Sequence, residues 1–157
     1  MSDTYYVKTF GGLEITNDNV TVNIVELFGK QLVNLLQVLL FHSEKPVQKD
    51  ELIDILWPES KNPSSALKFS IFRLRAELNE IDFFKDKEVI VTTRKGYILN
   101  PNLDWNIDFV ELEKAYNQIN DGSELLDEKE FKTARKIFRL YQGRFYASPS
   151  QLHWILQ

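Results

Sequence analysis

"NPSSALKFSIFRLRAEL", residues Asn62 to Leu78, decides the fold. Leu67, Ile71, Leu74 and Leu78 recur at the spacing of one helical face, so they predict a helix that buries a stripe. Asn62 can cap its start, and Pro63 suits the first helical position. At about 100° per residue the opposite face carries Asn62, Ser65, Phe69, Phe72, Arg73 and Ala76, with Lys68 and Arg75 flanking it. Lys68, Arg73 and Arg75 give Asn62 to Ala76 a charge of +3 with no acid. Such a face suits core, a nucleic-acid reader or a docking surface.

Working outward, "GKQLVNLLQVLLFHSEK" places Leu32, Leu35, Leu36 and Leu39 on one helical face. "KDELIDILWPES" is a shorter helix. Asp50 and Glu51 lie in its first turn, where the helix dipole favours acids, and Pro58 ends it. Upstream, "YYVKTFGGLEI" alternates and turns at Gly11-Gly12, which predicts two strands of a hairpin, and "NVTVNIVEL" predicts a third. Downstream, "EVIVTTRKGYIL" predicts a second hairpin with Arg94-Lys95 at its tip. "NPNLDWN" reads as a turn-rich linker and a domain boundary. Beyond it, Phe109, Leu112, Tyr116 and Ile119 form one helical stripe, and Phe131, Ala134, Phe138 and Tyr141 another, separated by "NDGSE".

The fold class expected is α+β. A winged helix-turn-helix with an N-terminal antiparallel sheet and a C-terminal β-hairpin wing fills residues 1–103. The start of an α-helical hairpin fills 104–157. In a winged helix-turn-helix the second helix crosses the DNA backbone and the third lies in the major groove.

Composition narrows the function. Of 157 residues 43% are apolar and 27% charged, ordinary for a globular chain, and net charge is −4, which argues against a general polyanion binder. Charge is uneven: Asp104 to Glu130 carries nine acids against Lys114 and Lys129, and Phe131 to Tyr146 carries five cations and no acid. Two solvated faces, or two faces attracting each other, both satisfy that pattern. There is no cysteine, which removes disulfides and thiolate metal sites and fits a reducing cytoplasm. No apolar run approaches a membrane span, and "MSDTYYVKTF" lacks a signal-peptide layout. Catalysis finds no support. His42 and His153 lack partners at metal-ligand spacing, and there is no phosphate loop or nucleophile motif, so neither an enzyme nor a cofactor is expected. His42, after a helix, reads as a partner of that helix's C-terminal dipole.

Three stretches carry a family resemblance. "KPVQKDELIDILWP", "SALKFSIFRLRAEL" and "VIVTTRKGYIL" resemble, in order and spacing, the OmpR/PhoB-type winged-helix domain. Their phrasing is similar to the Streptomyces antibiotic regulatory protein family, in which a helical bacterial transcriptional activator domain follows; "WNIDFVELEKAYNQI" and "ARKIFRLYQGRFY" resemble its opening. The resemblance implies double-stranded DNA as partner, tandem or homodimeric binding on direct repeats, and recruitment of RNA polymerase. It also implies that this chain is a fragment of a longer protein or a shortened member, since a tetratricopeptide-like stack needs about three repeats.

By that resemblance Arg73 takes the position of a reading arginine, and Phe69 that of a small apolar base contact. Phe72 departs from the pattern, where a small polar residue is usual. An Arg can pair with guanine and a Phe can touch a thymine methyl. Thr92, Thr93, Arg94 and Lys95 suit phosphate or minor-groove contact, or simply a solvated tip. Lys49 and Lys30, near helix starts, and the indole N–H of Trp57 are further phosphate candidates. Phe72 folding back as satellite core, Arg75 in an ion pair with a nearby acid, Trp57 packed between helices and Tyr97 in the hairpin core are the structural alternatives. A winged-helix protein-interaction module with lost DNA affinity is the rival function, favoured by the net negative charge and the two phenylalanines.

Overall fold

A computed structural model describes residues 4–111 and residue 114 of the chain. Three N-terminal strands, β1 (Thr4–Lys8), β2 (Glu14–Asn17) and β3 (Val20–Asn23), form an antiparallel meander with Val7 opposite Ile15 and Ile15 opposite Val22. The inward positions Tyr5, Val7 and Ile15 are buried, as period-two alternation requires. The β2–β3 turn puts Asp18 at φ 51°, a conformation that Asp tolerates better than most residues.

The "NVTVNIVEL" reading needs correction at its second half. The strand stops at Asn23, whose side chain accepts a hydrogen bond from the Glu26 amide and caps a short helix, α1 (Ile24–Leu27). Local capping outweighs the β-branched run there.

The linker expected at "NPNLDWN" is also corrected. After a turn, β6 (Asp104–Ile107) pairs in parallel with β1, Thr4 opposite Asp104 and Val7 opposite Ile107, giving the sheet order β3-β2-β1-β6. The Trp105 ring lies 5.3 Å from Tyr5 and 5.8 Å from Phe84, so the strand is held by an aromatic cluster as well as by its ladder. Asp108 follows and accepts hydrogen bonds from the amides of Thr9 and Phe10 and from the Thr9 hydroxyl. The chain is helical from Asp108, with Phe109 buried edge-on against Phe41 at 4.7 Å. The rest of the expected helical hairpin lies outside the described residues.

Between sheet and wing stand α2 (Lys30–Phe41), α3 (Lys49–Leu56) and α4 (Pro63–Asn79), packed on one another, followed by a 3₁₀ turn at Asp82–Phe84. Helix α2 is the centre: Leu32 to Leu40 are all buried, including Asn34 and Gln37. The four leucines expected on its stripe are buried, but so is the rest of its circumference. All four stripe residues of α4 are buried as well, with Ser70 between them. The wing is β4 (Ile90–Thr93) and β5 (Gly96–Leu99), antiparallel and joined by Arg94-Lys95.

Candidate nucleic-acid interface

Helix α4 shows water a face that burial alone does not explain. Phe69 is 62% and Phe72 71% exposed. Asn62, Ser65, Lys68 and Arg73 are exposed beside them. The Arg73 guanidinium stands 5.9 Å from the Phe69 ring centroid, one helical turn away. That cation–π contact keeps the guanidinium beside the ring, on the outer face of the helix. Phe72 does not fold back over the core, so the satellite-core alternative is excluded. Asn62 stands at the N-cap position, but its side chain makes no capping bond; its own amide donates to the Ser60 hydroxyl at 3.2 Å. Pro63 therefore marks the start without help from Asn62.

Arg75 is tied to the wing. Its Nε and one terminal nitrogen donate to the Ile90 carbonyl at 3.3 and 3.1 Å, and the same terminal nitrogen donates to the Thr92 hydroxyl at 2.7 Å. In place of the acidic partner of its structural alternative stand a strand carbonyl and a threonine. Arg75 thus sets the angle between α4 and β4, so a helix and a hairpin distant in sequence present one surface. At the tip, the Thr93 hydroxyl accepts from the Lys95 amide and donates to the Gly96 carbonyl, both at 3.1 Å. Thr93 is engaged in the turn, while Arg94 and Lys95 are exposed. The Thr92 hydroxyl accepts from Arg75 and keeps its own hydrogen to donate.

The hairpin is anchored from behind. Val47 and Tyr97 exchange amide–carbonyl bonds of 2.8 and 3.0 Å. Gly96, at φ +140°, lets this happen, because a Cβ there would collide with the Val47 carbonyl. Tyr97 is buried in the hairpin core.

This arrangement of three helices and a hairpin wing coincides with a known family. Residues 23–99 match the family model described as transcriptional regulatory protein, C terminal. Over those residues the chain is similar to a winged-helix DNA-binding domain of the OmpR/PhoB type. Among solved structures it is similar to EmbR of Mycobacterium tuberculosis, solved in complex with a low-affinity phosphopeptide. That match has 23% identity and a TM-score of 0.50 over 76% of this chain and 32% of EmbR. The chain thus spans about a third of EmbR's length, and the likeness supports the fold alone. The DNA-binding domain of E. coli CadC aligns at 27% identity and TM-score 0.44, over 59% of this chain and 89% of that one. The C-terminal DNA-binding domain of RstA from Klebsiella pneumoniae aligns at 22% identity and TM-score 0.43, over 59% and 87%. No curated protein matches the chain.

Around the winged helix the remaining expected contacts fall unevenly. Trp57 is half-buried against the core, as the end cap of α3. Its indole N–H has no hydrogen-bond partner among the described residues. Lys49 is exposed, its ammonium 5.8 Å from the Tyr97 ring, which places it beside the wing; Lys30 is exposed at the start of α2. His42 ends α2 and faces Glu51 at 4.0 Å; burial pulls its pKa below the ordinary 6.5, and Glu51 partly opposes this. Among the described residues no group of three or more His, Asp or Glu could hold a metal ion, and no helix is long and apolar enough to cross a membrane. The Val47–Tyr97 anchor escaped sequence reasoning, although the glycine of "RKGY" was its one local sign.

Proposed function

We propose that this chain is a sequence-specific DNA-binding regulator of bacterial transcription, acting in the cytoplasm as an activator and without catalytic activity of its own. Helix 63–78 lies in the major groove and the 88–99 hairpin serves as wing. One observation carries the reading: Phe69, Phe72 and Arg73 stand exposed on a helix face with no acid before Glu77, braced through Arg75 to a wing with a cationic tip. Arg73 reads guanine, Phe69 and Phe72 favour thymine methyls, and Lys68, Ser65 and Asn62 serve the adjacent backbone or bases. Thr92, Arg94, Lys95, Lys49 and the Trp57 N–H supply phosphate contacts. Arg75 and Thr93 act by positioning.

The proposed division, a DNA-binding unit over 1–103 and the start of a tetratricopeptide-like activator unit over 104–157, runs through one sheet, because β6 of the second pairs with β1 of the first. Membership of the Streptomyces antibiotic regulatory protein family, tandem or homodimeric binding on direct repeats and contact with RNA polymerase complete the proposal. A single copy binds weakly and linked copies better, through effective concentration.

The test is selection of bound duplexes from a random pool, then anisotropy with the parent and Arg73→Ala. The variant should lose about 1–3 kcal/mol of affinity and relax preference at one base pair. Equal binding by Arg73→Ala sinks the assignment. A protein-interaction module is the second reading, favoured by two exposed phenylalanines on a chain of net charge −4. Binding to random duplexes that is absent at low salt, or flat as salt rises, would select it.

A further inference from the structure

At the C-terminal end of α4 the chain has a groove that the proposed function does not use. It lies between the outer strand β3, helix α1 and the C-terminal end of α4, with a volume of about 330 Å³. Its lining is largely apolar and includes Val20 and Leu27, 56% and 58% exposed, together with Phe83. Its rim is acidic: Glu77, Glu80 and Asp82 line it and no Lys or Arg does. None of the three acids makes an ion pair among the described residues. Two large aliphatic side chains kept in water on one small concave patch mark a contact surface rather than a scatter of surface residues. The acids exclude nucleic acid from it, because phosphates would be repelled at short range. The same acids would attract a cationic partner and orient it.

We propose that this groove docks a basic amphipathic helix of a partner protein, its apolar residues one turn apart seated on Val20, Leu27 and Phe83, and its lysines or arginines paired with Glu77, Glu80 and Asp82. The floor supplies the apolar anchor pocket of a helix-in-groove contact. The rim supplies its charge selectivity. The inference stands apart from the DNA reading and fails or survives independently of it.

The test uses the full chain and a labelled synthetic leucine–lysine amphipathic peptide, with a leucine–glutamate peptide and a proline-interrupted leucine–lysine peptide as controls. Anisotropy should show the leucine–lysine peptide binding at least about tenfold tighter than either control. Leu27→Asp, at an exposed position, should lose about tenfold of that affinity while melting temperature and duplex binding stay at the parent's values. The double variant Glu77→Lys/Glu80→Lys should reverse the preference toward the leucine–glutamate peptide. Equal binding of the two charge types, or a Leu27→Asp affinity equal to the parent's, overturns the proposal. So does a dimer, seen by sedimentation, that Leu27→Asp dissociates, since the groove would then hold a second copy of this chain.

Discussion

Helix α2 buries two amides, Asn34 and Gln37, while α4 leaves two phenylalanines in water. Both depart from the hydropathy expected of their places, in opposite directions and for different reasons. Helix α2 is surrounded by α1, α3, α4 and the wing, so its residues from Leu32 to Leu40 are inside whatever their polarity. Helix α4 is covered on one side only, and its other side keeps Phe69 and Phe72 exposed at a cost in solvation that folding does not recover. Position in the packing therefore sets burial in α2. In α4, exposed apolar area is evidence of a surface that waits for a partner.

Four substitutions sharpen that contrast, and the first has the largest effect. Leu74, fully buried on the inner face of α4, should cost about 2–5 kcal/mol when changed to Ala, measured by urea unfolding. A cost under 1 kcal/mol would mean that the inner face is loosely packed and that the contrast between the two faces of α4 is wrong. Next comes Gln37, 1% exposed, whose amide oxygen and nitrogen both find no partner among the described residues. Gln37→Met keeps the unbranched shape and removes an unpaid desolvation penalty, so it should raise stability by about 1–3 kcal/mol. Loss of stability on that change would show that the amide is satisfied.

Smaller still is Phe72→Ser. At 71% exposure the change should leave stability within about 0.5 kcal/mol. Its effect should fall instead on DNA, as weaker discrimination between thymine- and uracil-containing copies of the selected site, read by anisotropy. A large fall in melting temperature would return Phe72 to the core. The smallest effect belongs to His42, at the end of α2. Its pKa is lowered in the fold, chiefly by desolvation, so the unfolded chain takes up the proton more readily. Its contribution is complete above pH 6.5 and is lost as pH falls through that value toward the folded pKa. Melting temperature from pH 8 down to pH 5 should fall more steeply for the parent than for His42→Gln; parallel profiles would remove His42 from the account.

Much of the fold was legible wherever one local signal governed the outcome. The stripe Leu67, Ile71, Leu74 and Leu78 needs only the helical period, and Pro63 only its fixed φ. The wing is written in two β-rich runs around Arg94-Lys95. Residues whose state depends on distant partners were not legible. Strand β6 is four residues long and pairs in parallel with β1 at the far end of the described chain, so "NPNLDWN" carries turn chemistry and hides the strand. Helix α1 was hidden for a different reason, two competing local signals, of which the Asn23 cap prevails over the β-branched run. Arg75 could have faced phosphate or an acid; the nearness of the Ile90 carbonyl decided otherwise.

What the amino-acid sequence determined by itself was the order of the three longer helices and the wing, the inner stripe of α4 and the cationic, aromatic character of its outer face. Each follows from spacing along one helix or strand, a property of the local backbone. Only the tertiary structure decided that α2 is buried all round, that Arg75 braces the wing, that Gly96 must lack a Cβ beside Val47, and that Leu27 faces a groove rimmed by Glu77 and Glu80. Those facts depend on which surfaces meet, and chain segments far apart in sequence meet only once the core has closed.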